Sequence, residues 1–394
     1  MEVKQIYTLI NSVSSEVLGR TDLVHEDLTG IVDLGNEVFN QNAVDNYVKS
    51  LVNHIGKVVF VNRPYSGKVP SVLMDAWEFG SVLEKISADV PQAEENDTWN
   101  LTDGTEYKQD VFHKPTVSAK FFNSKVTFEV PVSITERQVK ESFSSAAQLN
   151  GFLSMIYNAV EKSMTIKTDA LVMRTINNMI AETLDADKTA FGFVSSTHET
   201  VDYASASTVR CVNLLRLYNE KTGTHLEADV AITTPDFIRY AAYIMGLYSD
   251  RLQTISTLFN VGGKERFTPK DVLHTVLLSD FAAAAKTYLY ADTFHEDNVL
   301  LPKAETVASW QATGKDYAFD NVSKIDVKSA SGATVSISGV LGVMFDRDAL
   351  GVTNLDKRVT TNYNAKAEFF NNYYKFDAGY FNDTNENFVV FFIA

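Results

Sequence analysis

Apolar residues recur at steps of three and four, with one step of seven, along the middle of the chain. They are Leu149, Phe152, Leu153, Ile156, Val160 and Met164, then Leu171, Val172, Ile176, Met179, Ile180 and Leu184. Most of them fall on one stripe of a helix, so the pattern predicts a single helix over residues 144–184. About 40 residues rising 1.5 Å each make a rod of about 60 Å, more than three times the average helix of about 12 residues. The rest of the chain is read around this rod. Gly151 and residues 165–168 are its weak points. Two antiparallel helices broken near Thr165 are the rival arrangement, although no Gly or Pro marks a turn there. Upstream, Ser133 followed by Glu136 is a capping-box pair suited to a short helix leading into the long one. Downstream, Asp185, Ala186 and Asp187 break the periodicity.

The first 20 residues carry a second helical pattern (Ile6, Leu9, Ile10, Val13, Val17) that Gly19 stops. A third, over 41–55, places Val44, Tyr47, Val48, Leu51, Val52 and Ile55 on one face, and Gly56 closes it. Two short helices on a thin acidic linker read as an arm reaching for a partner. From 57 to 131 the pattern turns to strands and loops: 57–61 opens, 63–67 turns, 98–104 is a loop, and 119–130 reads as one long alternating strand. Glu94, Glu95 and Asp97 form an acidic patch between them. About 75 residues with so few apolar side chains cannot build a core alone. Such a segment is either an extended excursion leaning on another element or subunit, or a small, poorly packed β-domain.

After the long helix, 204–221 reads as a helix ended by Gly223, and 229–233 as a buried strand. Thr234-Pro235 is a cap-plus-proline start for a helix through Met245. A helical pattern covers 249–259 and stops at Gly262-Gly263. Thr268-Pro269 repeats the cap-plus-proline signal, 276–278 reads as a strand, Ser279 caps a helix over 280–287, and 288–291 reads as a strand. This grammar describes a compact α/β domain over about 201–309. Residues 323–342 alternate around Ile325, Val327, Val335 and Ile337, with 329–332 as a hairpin turn. Residues 363–392 hold eleven aromatics in thirty positions, against 11 per cent for the whole chain, and suit strands that wall a sheet. The uninterrupted apolar run from Phe388 to Ile393 suits a strand covered on both faces; it is expected in that same aromatic sheet, packed on the long helix.

Composition narrows the function. Of 394 residues 45 per cent are hydrophobic, so a large core is available. The single cysteine, Cys211, excludes an internal disulfide framework and fits a reducing compartment. Residues 1–20 lack a basic n-region followed by an apolar h-region, so no signal peptide is expected, and no apolar run reaches the roughly 20 residues of a membrane helix. Fifty acidic against 35 basic residues give a formal charge of −15. Non-specific nucleic-acid binding relies on cations displacing counterions; here the overall field opposes it, and no Lys/Arg-rich run appears.

Catalytic motifs are missing. Val261-Gly-Gly-Lys264 is too short to cradle phosphates, and no nucleophile elbow, His-Glu-x-x-His or cysteine pair with zinc spacing occurs. Asp292, His295, Glu296 and Asp297 are the best metal candidates, yet charged residues bunched beside a strand end are usually a solvated loop. Cys211, within an apolar stretch, reads as a small core residue before it reads as a nucleophile. His54 and His113, beside apolar residues, read as packed or surface histidines. No catalytic, cofactor or metal residue is assigned, and no cofactor is expected.

Arm helix, β excursion, domain-length helix, α/β domain and returning strand form a distinctive order. It resembles the major capsid proteins of tailed bacteriophages with the Hong Kong 97-type shell fold. The residues carrying the likeness are Asn40-Gln-Asn-Ala-Val-Asp-Asn-Tyr-Val-Lys-Ser-Leu-Val-Asn-His-Ile-Gly56, the stretch 143–156, Thr287-Tyr-Leu-Tyr-Ala-Asp292, and Thr361-Asn-Tyr-Asn-Ala-Lys-Ala-Glu-Phe-Phe370. Locally they look closest to the small short-tailed phi29-like and picovirus-like phages of Gram-positive hosts. No single motif is specific; the ordered set is.

The resemblance implies an α+β subunit with an N-terminal arm (1–56), extended loop (57–131), peripheral domain with spine helix (132–200), axial domain (201–350) and return strands of the peripheral domain (351–394). It implies a non-enzymatic head protein that self-assembles into an icosahedral or elongated shell around double-stranded DNA. Its partners would be copies of itself in hexamers and pentamers, a separate scaffolding protein, a portal and DNA held without sequence-specific binding, with no membrane. The product would sit in the virion after assembly in the host bacterial cytoplasm. Some relatives carry an immunoglobulin-like domain after the last strand or a long N-terminal scaffold domain; neither is expected here. An encapsulin-type compartment shell would share the fold, and a soluble hydrolase using the 292–297 cluster is the reading from another class.

Overall fold

The structure, a computed structural model, describes residues 3–21, 69–74, 82–91, 93–107, 112–135, 146–192, 201–290, 304–311 and 317–394, with isolated positions between 24 and 50 and at 110. Among these, the first helix spans Val3–Leu18, and Gly19 ends it at φ +68°, the left-handed region that glycine enters without a Cβ penalty. Of the expected 41–55 helix only positions 43, 46, 47 and 50 are described, the last three helical and Ala43 not.

The long helix is continuous over Ala146–Ala186, 41 residues, so the broken pair is set aside. Gly151 and 165–168 do not interrupt it. The hydroxyls of Thr165, Thr168, Thr175 and Thr183 each donate to the carbonyl four residues back, at 2.8–3.0 Å, which satisfies them inside a buried rod. Expected stripe residues from Val160 to Leu184 are all buried. From Leu171 onward burial spreads beyond one stripe to Thr175, Asn177, Ala181, Thr183 and Asp185, because this half of the helix is covered on most of its circumference. The capping box is overturned. Ser133 lies in a strand, where its Oγ donates to Asn371 Oδ1 at 2.6 Å.

Strands, in chain order, are β1 Leu73–Met74, β2 Leu83–Ala88, β3 Val117–Phe122, β4 Lys125–Thr135 and β5 Cys211–Asn213. They continue with β6 Leu273–Leu278, β7 Ala304–Val307, β8 Ile325–Lys328, β9 Thr334–Ile337, β10 Val340–Asp346, β11 Leu350–Asn364, β12 Phe369–Asn382 and β13 Phe388–Phe392. One sheet runs β1-β11-β12-β4, a second β5-β13-β10-β6-β7, and β2-β3 and β8-β9 are separate pairs. The single strand expected over 119–130 is thus two, broken at Asn123-Ser124, and its halves join different partners.

The five-stranded sheet lies between two cores. Period-two alternation sends Phe388, Val390 and Phe392 to the side of the long helix, with Val276, Val343, Ile176 and Ile180. Val389, Phe391 and Ile393 face the other side, against helices Leu214–Thr222, Pro235–Arg251 and Ser279–Tyr290, with Phe237, Met245 and Phe281. The final apolar run is therefore covered on both faces and does touch the long helix's core. It does not sit in the aromatic sheet. It is an inner strand of the five-stranded one, parallel to β5 and antiparallel to β10.

The aromatic hairpin β11-β12 pairs from Leu350↔Asn382 to Asn364↔Phe369, and β4 extends it so that Phe128 and Phe376 stand opposite with ring centroids 5.0 Å apart. The hairpin expected from the alternation around residues 325–337 forms as β8-β9, with Ile325↔Ile337 and Val327↔Val335 paired. Its turn clamps the end of the long helix. Ser329 and Ser331 hydroxyls donate to Asp185 Oδ2 at 3.1 and 2.7 Å, and the Ala330 N–H donates to Glu182. These donors offset two carboxylates at the helix end whose dipole disfavours them.

Several local expectations fail within the α/β region. Residues 204–221 are not one helix: 211–213 are strand β5, and the helix is Leu214–Thr222, ended by Gly223 at φ +69°. Residues 228–231 form one helical turn in place of a strand. The helix from Pro235 continues to Arg251, past Met245, and 252–259 is turn and bridge. Thr268-Pro269 starts no helix, since the Thr268 hydroxyl donates to Asp346 Oδ2 at 2.8 Å; and 288–290 prolong the helix from Ser279.

Candidate assembly surface

The β2-β3 pair is built with its faces reversed. In β2, Leu83, Lys85 and Ser87 turn inward, while Glu84, Ile86 and Ala88 turn out. In β3, Ser118, Lys120 and Phe122 turn inward, while Val117, Ala119 and Phe121 turn out. The register places Lys85 opposite Lys120 and Ser87 opposite Ser118 on the inner face, and Ile86 opposite Ala119 on the outer one. Ile86 is 67% and Phe121 62% exposed; Trp99 and Phe112, on the connection between the strands, are 94% and 86% exposed. A soluble ribbon ordinarily buries its apolar face and wets its polar one. A contiguous exposed apolar face marks a surface made for a partner.

The inner face is fixed by charge. Lys85 Nζ donates to Asp383 Oδ2 at 2.7 Å, to Glu386 Oε1 at 3.2 Å and to the Asp348 carbonyl at 2.9 Å. Lys120 Nζ donates to Asp383 Oδ1 at 3.0 Å. Arg266 Nε reaches Glu386 Oε2 at 3.2 Å, and Lys264 Nζ reaches Asp89 Oδ1 at 3.0 Å. Beside these, Phe122 lies against Phe381, centroids 5.1 Å apart. The Asp383 side chain is only 4% exposed. Burial pushes its carboxyl up, but the hydrogen bonds and charges of Lys85 and Lys120, with the Asn385 N–H, outweigh it and hold the group below the ordinary carboxylate value.

The residues weighed for chemistry go elsewhere. Cys211 is fully buried in β5, its thiol donating to the Thr183 carbonyl at 3.7 Å, and burial pushes its pKa well up, the reverse of what a nucleophile needs. His113 is exposed in a loop, and His54 lies outside the described residues. Asp292, His295, Glu296 and Asp297 also lie outside them; among the described residues no group of three or more His, Cys, Asp or Glu could hold a metal. In the 261–264 turn the Gly262 N–H donates to the Thr384 carbonyl, and Lys264 is engaged by Asp89. An open cleft of about 740 Å³ between the long helix and β8 is lined by Ile166, Met173, Arg174 and Trp310 among others, and its lining holds no histidine or cysteine. No helix among the described residues is long and apolar enough to cross a membrane.

Comparison with known proteins adds an independent line. The family model for phi29-like phage major capsid proteins matches residues 9–392. No curated protein matches the chain. Among solved structures, the capsid of Staphylococcus phage Andhra aligns at 10% identity with a TM-score of 0.49, covering 85% of this chain and 88% of that one. A structure of native bacteriophage P68 with its head fiber and inner core protein aligns at 9% identity and 0.45, covering 85% and 88%. The capsid of cyanophage P-SCSP1u aligns at 11% identity and 0.42, covering 85% and 92%.

Proposed function

The chain belongs to the phi29-like phage major capsid protein family, and from that premise we infer that the β2-β3 ribbon is the element by which one subunit grips the next. Its subunit is a structural head-shell protein of the Hong Kong 97-like class, α+β, located in the virion, and not an enzyme. The encapsulin and hydrolase readings are set aside by the family match. Shell formation means that many copies of one chain meet in repeated contacts.

The observation that carries the ribbon's role is its reversed polarity: Ile86, Val117 and Phe121 face solvent while Lys85 and Lys120 face the body. A second copy supplies what that face needs, an apolar surface that removes it from water. Burying side chains of this size contributes about 1.5–3 kcal/mol each, enough for a few contacts per subunit to hold a shell of many copies.

In the same reading, residues 1–56 are the N-terminal arm, 57–131 the extended loop, 132–200 the spine-helix part of a peripheral domain, and 201–350 the axial domain. Residues 351–394 return to the peripheral domain except for β13, which joins the axial sheet. Further partners are a separate scaffolding protein, a portal and packaged double-stranded DNA, with assembly in the host cytoplasm. The charge of −15 supports a wall that DNA slides past, since an anionic surface repels the phosphate backbone.

Changing Ile86 and Phe121 together to Ser tests the ribbon. The expected protein is folded by circular dichroism, monomeric in sedimentation, and without shells in negative-stain micrographs. Shells at wild-type yield would remove the ribbon from the contact.

A further inference from the structure

We propose that the ion-pair clasp centred on Asp383 is an intramolecular latch that parks the β2-β3 ribbon on its own subunit, apolar face outward, and sets when the ribbon can swing away from the body to reach a neighbour. The proposal rests on the reading of the ribbon as an inter-subunit element and adds its regulation.

Three features carry it. First, Lys85 and Lys120 stand directly opposite each other on one face of a two-stranded ribbon, where like charges repel. Asp383 accepts from both with its two oxygens, so the inner face is comfortable only while that carboxylate is seated between them. Second, an isolated two-stranded ribbon is marginal in water, so what docks it also keeps it ordered. Third, the docking is ionic along its length. Asp383 and Glu386 sit in the turn between β12 and β13, Arg266 and Lys264 come from the 254–267 loop, and Asp89 ends the ribbon. Phe122 on Phe381 is the apolar contact beside them.

The groups facing Asp383 are thus Lys85 and Lys120 from the ribbon and Glu386 from its own turn, with Arg266 neutralising Glu386. The turn itself does not move with the ribbon. The Asp383 N–H donates to the Ala349 carbonyl at 2.7 Å, and the Gly262 N–H donates to the Thr384 carbonyl at 2.8 Å. A rigid anionic seat and a cationic ribbon make a latch that salt weakens, while contacts through the opposite, apolar face do not weaken with salt. Rising ionic strength therefore frees the ribbon and leaves its partner-binding face intact.

The test uses the full-length subunit and two variants, Asp383→Asn and the pair Lys85→Met with Lys120→Met, so that a folding defect in one leaves the other. Hydrogen exchange of 83–88 and 117–122 is compared with that of β10 at low salt. Both variants are expected to raise ribbon exchange by about tenfold or more, with β10 unchanged. In wild type, NaCl at about 0.5 M, where the screening length is about 4 Å, should do the same, and should add less in the variants, where Lys264–Asp89, and in Asp383→Asn also Lys85–Glu386, are still there to be screened. Ribbon exchange equal to wild type in both variants overturns the latch. Light scattering then follows assembly, which should quicken with salt in wild type and be faster and less salt-dependent in the variants; a full wild-type salt dependence in the variants also overturns it. Adding Phe121→Ser to a latch-free variant separates the two ideas. If exchange rises as expected yet assembly ignores Phe121, the latch's contact stands and the ribbon's role as grip falls.

Discussion

Phe391→Ala measures how much of the subunit depends on its final strand. The ring is fully buried in β13, opposite Gly342 of β10, and meets Tyr248 edge-on with centroids 5.3 Å apart and planes at 86°. Truncating a buried Phe to Ala costs about 3–5 kcal/mol, of which the ring pair accounts for about 0.5–1.5. Total stabilities are about 5–15 kcal/mol, so about a fifth or more of the whole is at stake. With a urea slope of about 3 kcal/mol per molar, the midpoint should fall by about 1–1.7 M with the slope unchanged. Urea unfolding of the unassembled subunit, followed by far-UV circular dichroism, reads this directly. Phe121→Ala is the control: the same chemical change on a 62% exposed ring should stay within about 0.5 kcal/mol. A midpoint shift below about 0.3 M for Phe391→Ala, or a larger one for Phe121→Ala, would refute the assignment of one ring to the core and the other to a partner.

Gly339→Ala should be among the most damaging small substitutions. Its φ is +82°, and an added Cβ would come within 2.0 Å of the Ile393 carbonyl oxygen, whose residue donates its N–H to Gly339; soluble yield and melting temperature should both drop, and wild-type values would show that β13 can shift to make room. Asp383 should stabilise the subunit only above acid pH. Its carboxyl titrates lower folded than unfolded, so its contribution is complete above the unfolded value of about 3.9 and is lost as pH falls through the folded value. Urea midpoints of wild type and Asp383→Asn should differ at neutral pH and converge as pH falls through the folded value; a gap that persists in strong acid would mean the asparagine disturbs packing and not charge.

The long helix was legible because its signal is local: a 3.6-residue period that needs no knowledge of partners. The β8-β9 hairpin was legible for the same reason, its alternation and turn residues lying close together, whereas the aromatic bias of 363–392 announced a sheet wall at β12 but not its partner β11. What failed was decided at long range. Val209, Val212 and Leu215 fit a helix spacing as well as a strand, and Cys211–Asn213 is extended because β13 lies beside it, almost 180 residues downstream. Likewise Phe388–Ile393 announced burial on both faces, yet which sheet it entered depended on β5 and β10. The alternation of Leu83-Glu-Lys-Ile-Ser-Ala88 was visible, but ordinary reasoning turns Ile86 inward. The carboxylate that reverses the ribbon, Asp383, lies 263 residues beyond Lys120. No local pattern announces such a partner.

The five-stranded sheet gives the two cores a common wall, each strand of it lending alternate side chains to either side. A wall shared in this way leaves no seam between the halves, and a subunit so built is expected to act as a stiff tile. Tiles of a closed shell do not all meet at the same angle, and a stiff tile cannot bend to suit its place. On the reading proposed above, the tolerance resides in what joins tiles together, and the ribbon, tied to the body chiefly by ion pairs, is the joint placed to supply it.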